Sequence, residues 1–326
     1  MNIRHALLNG LNATHALLLK TTGFDMDKFQ AWVYGAVPDF NSSTFLWAVG
    51  LSFIFWIAAY FFIYLVVVEG IMNGLKGTFE FPRYYLKKTT KERMFYVTYW
   101  VANFHAFLSA IGALYCFFYA DGEKDTTWFH CNYYKLTMFP IQKYLNCFSI
   151  GYFLQDTFIC TVVSGNSSLM IQTYFHHIVG GSGSVMAVVI GGFFGSMCQL
   201  SYITEISTFF LNVRALMAEH KLDNQPLYYA NGLVLTGAFF VFRVFFYHYM
   251  IFWKIQDYAF YRYQSFWTLY PPEHYWMCCS CILLYTFMYF LQLFWFSKIL
   301  FGLLKAFGVD KAIQATEKAE QKIKQD

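Results

Sequence analysis

The sequence predicts an all-α polytopic membrane protein with about seven transmembrane helices. Three observations carry that reading. Of 326 residues, 58% are hydrophobic, 23% aromatic and only 13% charged, against about 25% charged in a soluble domain; the mean hydropathy is +0.38. Too few charges remain to solvate a globule of this size. The apolar residues are gathered into seven runs of 20 to 26 residues, and a spanning helix needs about 20. Only Asp156, Glu205, Arg214 and Arg243 are charged within those runs, and the other 38 charges share the remaining 165 residues. The chain is thus a set of apolar helices joined by ordinary loops. Disorder, a collagen-like chain and a disulfide-dense secreted scaffold are excluded on the same figures.

The elements follow in order. Residues 1–44 form an N-terminal interfacial or extramembrane segment. Met1–Phe24 carries Arg4 and Lys20 with no acid before Asp25, and Ile3, Leu7, Leu11 and Leu18 fall near one helical face. That pattern suits a helix lying on the membrane, ahead of a weak mitochondrial-type targeting segment. The spans are Phe45–Val68, Phe95–Tyr119, Tyr144–Cys160 running on to Val163, Leu169–Phe194, Cys198–Met217, Tyr228–Trp253 and Met277–Phe296. The fifth is polar on one side, and without it six spans remain. In the fourth, Gly191-xxx-Gly195 reads as a small-residue pattern for close helix approach. Residues 306–326 form a polar tail ending Lys322-Ile323-Lys324-Gln325-Asp326, which resembles a dilysine retrieval signal of the endoplasmic reticulum.

Orientation follows from the Lys/Arg bias. With seven spans, one side carries 14 basic residues and the other 8, which places the N-terminus outside and the C-terminus in the cytosol or matrix. No basic stripe, zinc-finger spacing or phosphate loop is present, so nucleic acid is not an expected partner. Among eight cysteines, Cys131 and Cys147 are open to a disulfide in an oxidising lumen. Asn12-Ala13-Thr14 and Asn41-Ser42-Ser43 are glycosylation triplets on the expected outer side.

Ionisable groups inside a membrane default to pairing or function. Most of those here share one depth, measured at about 1.5 Å per residue from the inner helix ends. His105, Asp156, His176, His177, Glu205, Thr208, Asn212 and Gln292 lie in the inner half, with Arg243 the deepest. Asp156 and His177 fall on antiparallel neighbours at matching depth, where a carboxylate orients an imidazole and raises its basicity. Glu205 and Arg243 fall on another antiparallel pair, three residues apart in depth; a buried Arg without a carboxylate is very costly. Ser201, Glu205, Thr208 and Asn212 recur at i, i+4, i+7 and i+11, a polar stripe facing a cavity or another helix. His176 and His177, about 100° apart on a helix, are expected to place at most one ring in a given cavity. Di-iron desaturase boxes, zinc-protease spacing and internal transporter repeats are absent, so no metal is expected.

Several stretches between Lys91 and Lys305 resemble the TLC-domain family. They are Asn103-Phe104-His105-Ala106, Gly151 to Asp156, Phe175-His176-His177, Thr204 to Arg214, Phe242-Arg243, and Trp295-Phe296-Ser297-Lys298 followed by Gly302 and Lys305. The resemblance implies a TLC domain over 91–305, six spans forming a helical barrel around a lipid cavity, with 45–68 an extra N-terminal helix. In ceramide synthases of this family the His pair handles an acyl group passing from acyl-CoA to an amine. His176 and His177 match that pair. The family also implies a second acid three residues beyond the first, where this chain has Thr208 after Glu205. The wording therefore looks like the non-synthase branch, linked to membrane phospholipid composition.

Two functions follow. In one, the protein binds or processes acyl lipids in the manner of an acyltransferase. His176 or His177 acts as base or nucleophile, Asp156 orients it, and His105, Glu205, Thr208, Asn212, Arg243 and Gln292 line the head-group cavity. No cofactor is expected; acyl-CoA or a phospholipid is substrate or bound lipid. In the other, the fold is a lipid-filled accessory subunit of a large membrane assembly, with membrane-protein partners holding both termini. The first reading favours the endoplasmic reticulum, the second the mitochondrial inner membrane.

Overall fold

The computed structural model describes residues 40–119, 140–164, 168–255 and 270–307, together with Lys20 and Lys28. The tail, the Asn12 triplet, Cys131 and most of the N-terminal segment lie outside them. Among the described residues every regular element is helical.

Helix α1 (Ser42–Leu75) opens at Asn41, whose side-chain oxygen accepts from the backbone N–H of Thr44 at 2.9 Å, an N-cap that satisfies one orphan donor. A short α2 (Glu80–Leu86) precedes α3 (Thr90–Tyr119). Then come α4 (Pro140–Ser164) and α5 (Ser168–Ile190). A shorter α6 (Gly192–Ser201) runs through a tight turn, Tyr202–Glu205, into α7 (Ile206–Glu219). Helix α8 (Pro226–Trp253) contains one wide turn, Phe240–Phe245, and runs into a second, Met250–Ile255; α9 (Pro272–Ala306) is the last described helix.

Six helices pack in a closed ring, in the order α3, α4, α5, α9, α8, α7 and back to α3. That is the barrel of six implied by the resemblance. Helix α1 stands outside it, laid along α4. Between lipid-immersed helices the hydrophobic effect offers little, so close packing and internal hydrogen bonds must hold the seam. A Cβ on Gly151 of α4 would sit 2.3 Å from the Ser52 hydroxyl and 2.7 Å from the Phe53 nitrogen, so the two backbones meet at glycine. Ser52 Oγ and Trp56 Nε1 both donate to the Phe148 carbonyl, at 2.8 and 3.1 Å. Outside the ring Leu46, Leu51, Phe107, Phe158, Ile178 and Phe290 point outward, as a lipid-facing surface requires.

Among the described residues five helices are long and apolar enough to cross a membrane: α1, α3, α4, α8 and α9. The count of seven expected from sequence is therefore not reached by length and composition. Of the remaining ring members, α5 spends Gln172, His176 and His177 on the interior, which dilutes its apolar character, and α7, with 14 residues, is too short to count as a span by itself. The fourth expected span also ends early. Gly191 and Gly192 both have positive φ, 63° and 53°, which only glycine adopts without penalty. The helix stops at Ile190 and a new one begins. Gly191 and Gly195 thus form a chain reversal rather than a continuous helix-crossing pattern. Cys147 is buried on α4; Cys131, its expected partner, lies outside the described residues.

Lys and Arg residues from the α1–α3 connection, the end of α7 and the end of α9 fall at one end of the ring, here termed the basic end. Glu69 of α1 meets Arg93 of α3 there, Nη1 donating to both carboxylate oxygens at 3.0 Å, and accepts from Tyr85 Oη at 3.1 Å. Burial and the neighbouring Glu69 carboxylate raise the Tyr85 phenol.

Candidate functional site

The ring encloses a cavity of about 580 Å³ in its basic-end half, inside the range of about 300–1,000 Å³ typical of small-molecule sites. Antiparallel neighbours explain its position. The C-terminal halves of α4, α7 and α9 and the N-terminal halves of α3, α5 and α8 all approach that end. Its wall mixes apolar and polar side chains throughout: Phe95, Met170, Leu211 and Ile299 stand with Thr98, Gln172, Asn212 and Lys298 near the basic end, and Tyr152, Phe153 and Phe239 stand with His177, Glu205 and Arg243 further in. From Glu205 to Ala215, both lining residues, the rise along α7 is about 15 Å.

The deep end holds two acid–base pairs of different kinds. Arg243 is buried and donates from Nε to Ser207 Oγ at 2.7 Å, from Nη1 to Gln292 Oε1 at 3.3 Å and from Nη2 to Thr208 Oγ1 at 2.5 Å. Thr208 then donates to Glu205 Oε2 at 2.7 Å, while Arg243 Nη2 itself stays 3.9 Å from that oxygen. The threonine hydroxyl therefore relays between the charges. Arg243 sits in the wide turn Phe240–Phe245; such a turn inserts an extra residue and re-aims side chains, frequently at functional positions. Asn212 reaches across to α3, donating to Asn103 Oδ1 at 2.9 Å.

The second pair is looser. His177 Nε2 stands 3.7 Å from Asp156 Oδ2, beyond hydrogen-bond range, and its Nδ1 lies 3.2 Å from Thr157 Oγ1. His176 Nδ1 is buried with no hydrogen-bond partner among the described residues. Its ring leans edge-on toward Trp295 of α9, 5.6 Å between centroids, and the Trp295 indole donates to Gln172 at 3.0 Å. Both histidines line the cavity, which corrects the expectation that only one would. The cavity is broad enough to reach from α4 to α9, so two rings about 100° apart touch it from adjacent sides of α5. His176, with Phe153 and Glu205, also borders a smaller space of about 60 Å³ toward the opposite end, walled by Gly180, Gly183, Tyr247 and Met288.

His105 and Gln292 are placed differently from the other expected site residues. His105 is fully enclosed behind the wall, stacked on Tyr152 at 3.8 Å between centroids, with Nε2 at 2.8 Å from Ser109 Oγ and 3.2 Å from Ser149 Oγ. Gln292 holds Arg243 and is not a lining residue. Sequence reasoning gave Ser207, Trp295 and Lys298 no site role, since Ser207 and Trp295 are uncharged and Lys298 falls beyond the apolar run Met277–Phe296. It also missed a hydrogen-bonded cluster toward the opposite end. There Asn146 donates to Gln199 at 2.9 Å and accepts from Tyr202, whose hydroxyl pairs with Ser184 at 2.8 Å. The signal available was Asn146 itself, an amide near the start of an apolar run. No group of three or more potential metal ligands occurs among the described residues.

Comparison with known proteins agrees with this architecture. TLC domain-containing protein 1 of Rattus norvegicus is 29% identical over 143 residues, and that of Homo sapiens 28% over the same length. The match covers 43% of this chain and 53% of each relative, so the chain spans about half the length of the curated relatives it matches. The family model for the TLC domain matches residues 96–300, the whole closed ring and little besides. A multi-pass helical membrane protein of this architecture, matched over most of its length, belongs to the TLC-domain family.

Proposed function

We propose that this protein binds an acyl lipid, such as a phospholipid or acyl-CoA, in the ring cavity. The lipid's polar group lies among His176, Asp156, His177 and Glu205, and its chain lies along the aromatic wall. One observation carries this reading: a space of about 580 Å³ between the ring helices whose apolar and aromatic wall carries a few convergent polar groups, His176, His177, Asp156, Glu205 and Arg243 among them. Such a lining matches an amphipathic ligand better than either a hydrophobic core or a water channel. His176, bordering both spaces with an unpaired Nδ1, is the contact group. The Asp156–His177 gap of 3.7 Å is one that a ligand hydroxyl bridges. Acyl transfer through this pair is the enzymatic form of the proposal. The Lys/Arg bias supports a basic end facing the cytosol.

A second reading has its own support. Arg243, Thr208, Glu205, Ser207 and Gln292 satisfy one another, as they would in a lipid-filled subunit that performs no chemistry. Lipid extraction from the purified protein separates these readings. Ala102→Trp, which fills a cavity wall position, is expected to expel a co-purifying lipid, and a wild-type protein carrying no lipid overturns both. His177→Ala is expected to abolish acyl turnover while lipid is retained. Retained lipid with no turnover even in wild type leaves the subunit reading.

A further inference from the structure

A second concavity lies at the basic end, where α7, α8 and α9 meet beside the cavity. It has a volume of about 190 Å³, and its walls include Arg214, Gly232, Leu235, Lys298 and Gly302. Arg214 and Lys298 come from different helices. Arg214 is half-buried, its guanidinium over the Tyr228 ring at 4.2 Å, and Lys298 is exposed, its ammonium over Phe294 at 4.2 Å. Neither has a carboxylate within ion-pair distance among the described residues, unlike Arg93, Lys88 and Arg243. Two cations that face one groove and lack an anion are a site for one.

Gly232 shapes the groove. A Cβ there would lie 2.6 Å from Arg214 Nη1, so the guanidinium rests against bare backbone and a larger residue displaces it. Depth identifies the source of the anion. Arg214 stands five residues before the end of α7, Gly232 six after the start of α8 and Lys298 eight before the end of α9. These offsets put the groove about 7–12 Å from the helix ends. Helices long enough to extend through the interfacial layers hold that level near the phosphates of one leaflet. Around the cations the groove is apolar, with Leu211, Leu235, Ile299 and Leu303, as glycerol and the first methylenes require. A basic pocket between helices on the basic side is the general form of an anionic head-group site.

We propose that Arg214 and Lys298 seat the phosphate of an anionic phospholipid from the leaflet at the basic end. The seat stands whatever the inner cavity holds. Leu211, Lys298 and Ile299 nevertheless line both spaces, so the bound lipid abuts the cavity wall.

The test uses the full-length protein in phosphatidylcholine nanodiscs carrying a minor fraction of phosphatidylglycerol, with the retained lipid measured by native mass spectrometry. Wild type is expected to retain phosphatidylglycerol above its share in the disc. Arg214→Gln and Lys298→Gln are each expected to cut that enrichment by about fivefold, and Gly232→Ala to weaken it by pushing the guanidinium aside. Melting temperature in pure phosphatidylcholine checks folding. Should Arg214→Gln fail to fold, Lys298→Gln at an exposed position carries the test. No enrichment in wild type, or unchanged enrichment in the folded Lys298→Gln variant, overturns the proposal. So does displacement of the lipid by millimolar inorganic phosphate, which would mark a site for the free ion.

Discussion

Two regions of this molecule contain buried histidine, and they use it in opposite ways. Along the α1–α4–α3 seam, His105 is stacked on Tyr152 and bonded to Ser109 and Ser149. Across the wall formed by Tyr152 and Phe153, His176 keeps an unpaired nitrogen and His177 stands off from its carboxylate. The same side chain is closed structure on one side and an open valence on the other. The difference teaches that depth and residue type do not define a site in a membrane protein. Satisfaction does, because an unmet polar group in low dielectric is tolerated only where something else pays for it.

The comparison is broken most severely by removing Arg243. Arg243→Met leaves Glu205 buried without its cation and is expected to destabilise by about 3–5 kcal/mol, read as loss of monodisperse protein or a large fall in thermal midpoint. A neutral result would mean that the Arg243 cluster is as open as the histidine pair. Next comes the seam. Gly151→Leu drives a side chain into Ser52 and the Phe53 backbone and is expected to cost about 1–3 kcal/mol, weakening the hold of α1 on the ring. Protease accessibility of α1 reports it.

His105→Ala sharpens the contrast. It strands the Ser109 and Ser149 hydroxyls at a cost of about 1–3 kcal/mol while leaving cavity lipid in place. His176→Ala should do the reverse, with little change in stability and altered lipid retention. Parallel melting and lipid-extraction measurements on the two variants decide it.

The smallest effect concerns a fourth histidine, at the basic end. His220 shares a 2.8 Å hydrogen bond with Tyr96 Oη and packs against Phe81 and Tyr84. Burial lowers its pKa below 6.5, Glu219 opposes that, and Lys88 adds to it. The Lys88 ammonium is itself drawn down by burial but raised overall by its bond to Glu219. Since the unfolded imidazole takes a proton that the folded one resists, stability is present above about pH 6.5 and falls as the pH drops through that value. A melting temperature that rises on acidification across this range would contradict the neutral packing of His220. His220→Phe is expected to flatten the slope.

Much of the site was legible in the sequence. Asp156 with His177 and Glu205 with Arg243 were paired from helix depth alone, and the structure brings each pair within 4 Å. Rise per residue is nearly constant in a helix, so depth is a one-dimensional quantity that a sequence encodes. The Thr208 relay was not legible. The polar stripe named Thr208, but not that its hydroxyl would stand between the two charges, nor that Ser207 beside it would bind the same guanidinium. Both depend on the rotation of α8, which the wide turn at Phe240–Phe245 resets. Nor was the chain reversal at Gly191 legible, since a glycine in an apolar run reads equally as helix packing or as helix end.

The sequence by itself determined the class of the molecule, the positions of its helices and the depth of its buried charge, because burial in lipid permits few alternatives for an apolar run of this length. The tertiary structure alone decided which of those groups are closed and which stay open. Closure of the ring sets the azimuth of each helix, and azimuth separates the sealed His105 from the cavity-lining His176 and lays Arg214 beside Lys298 at the basic end.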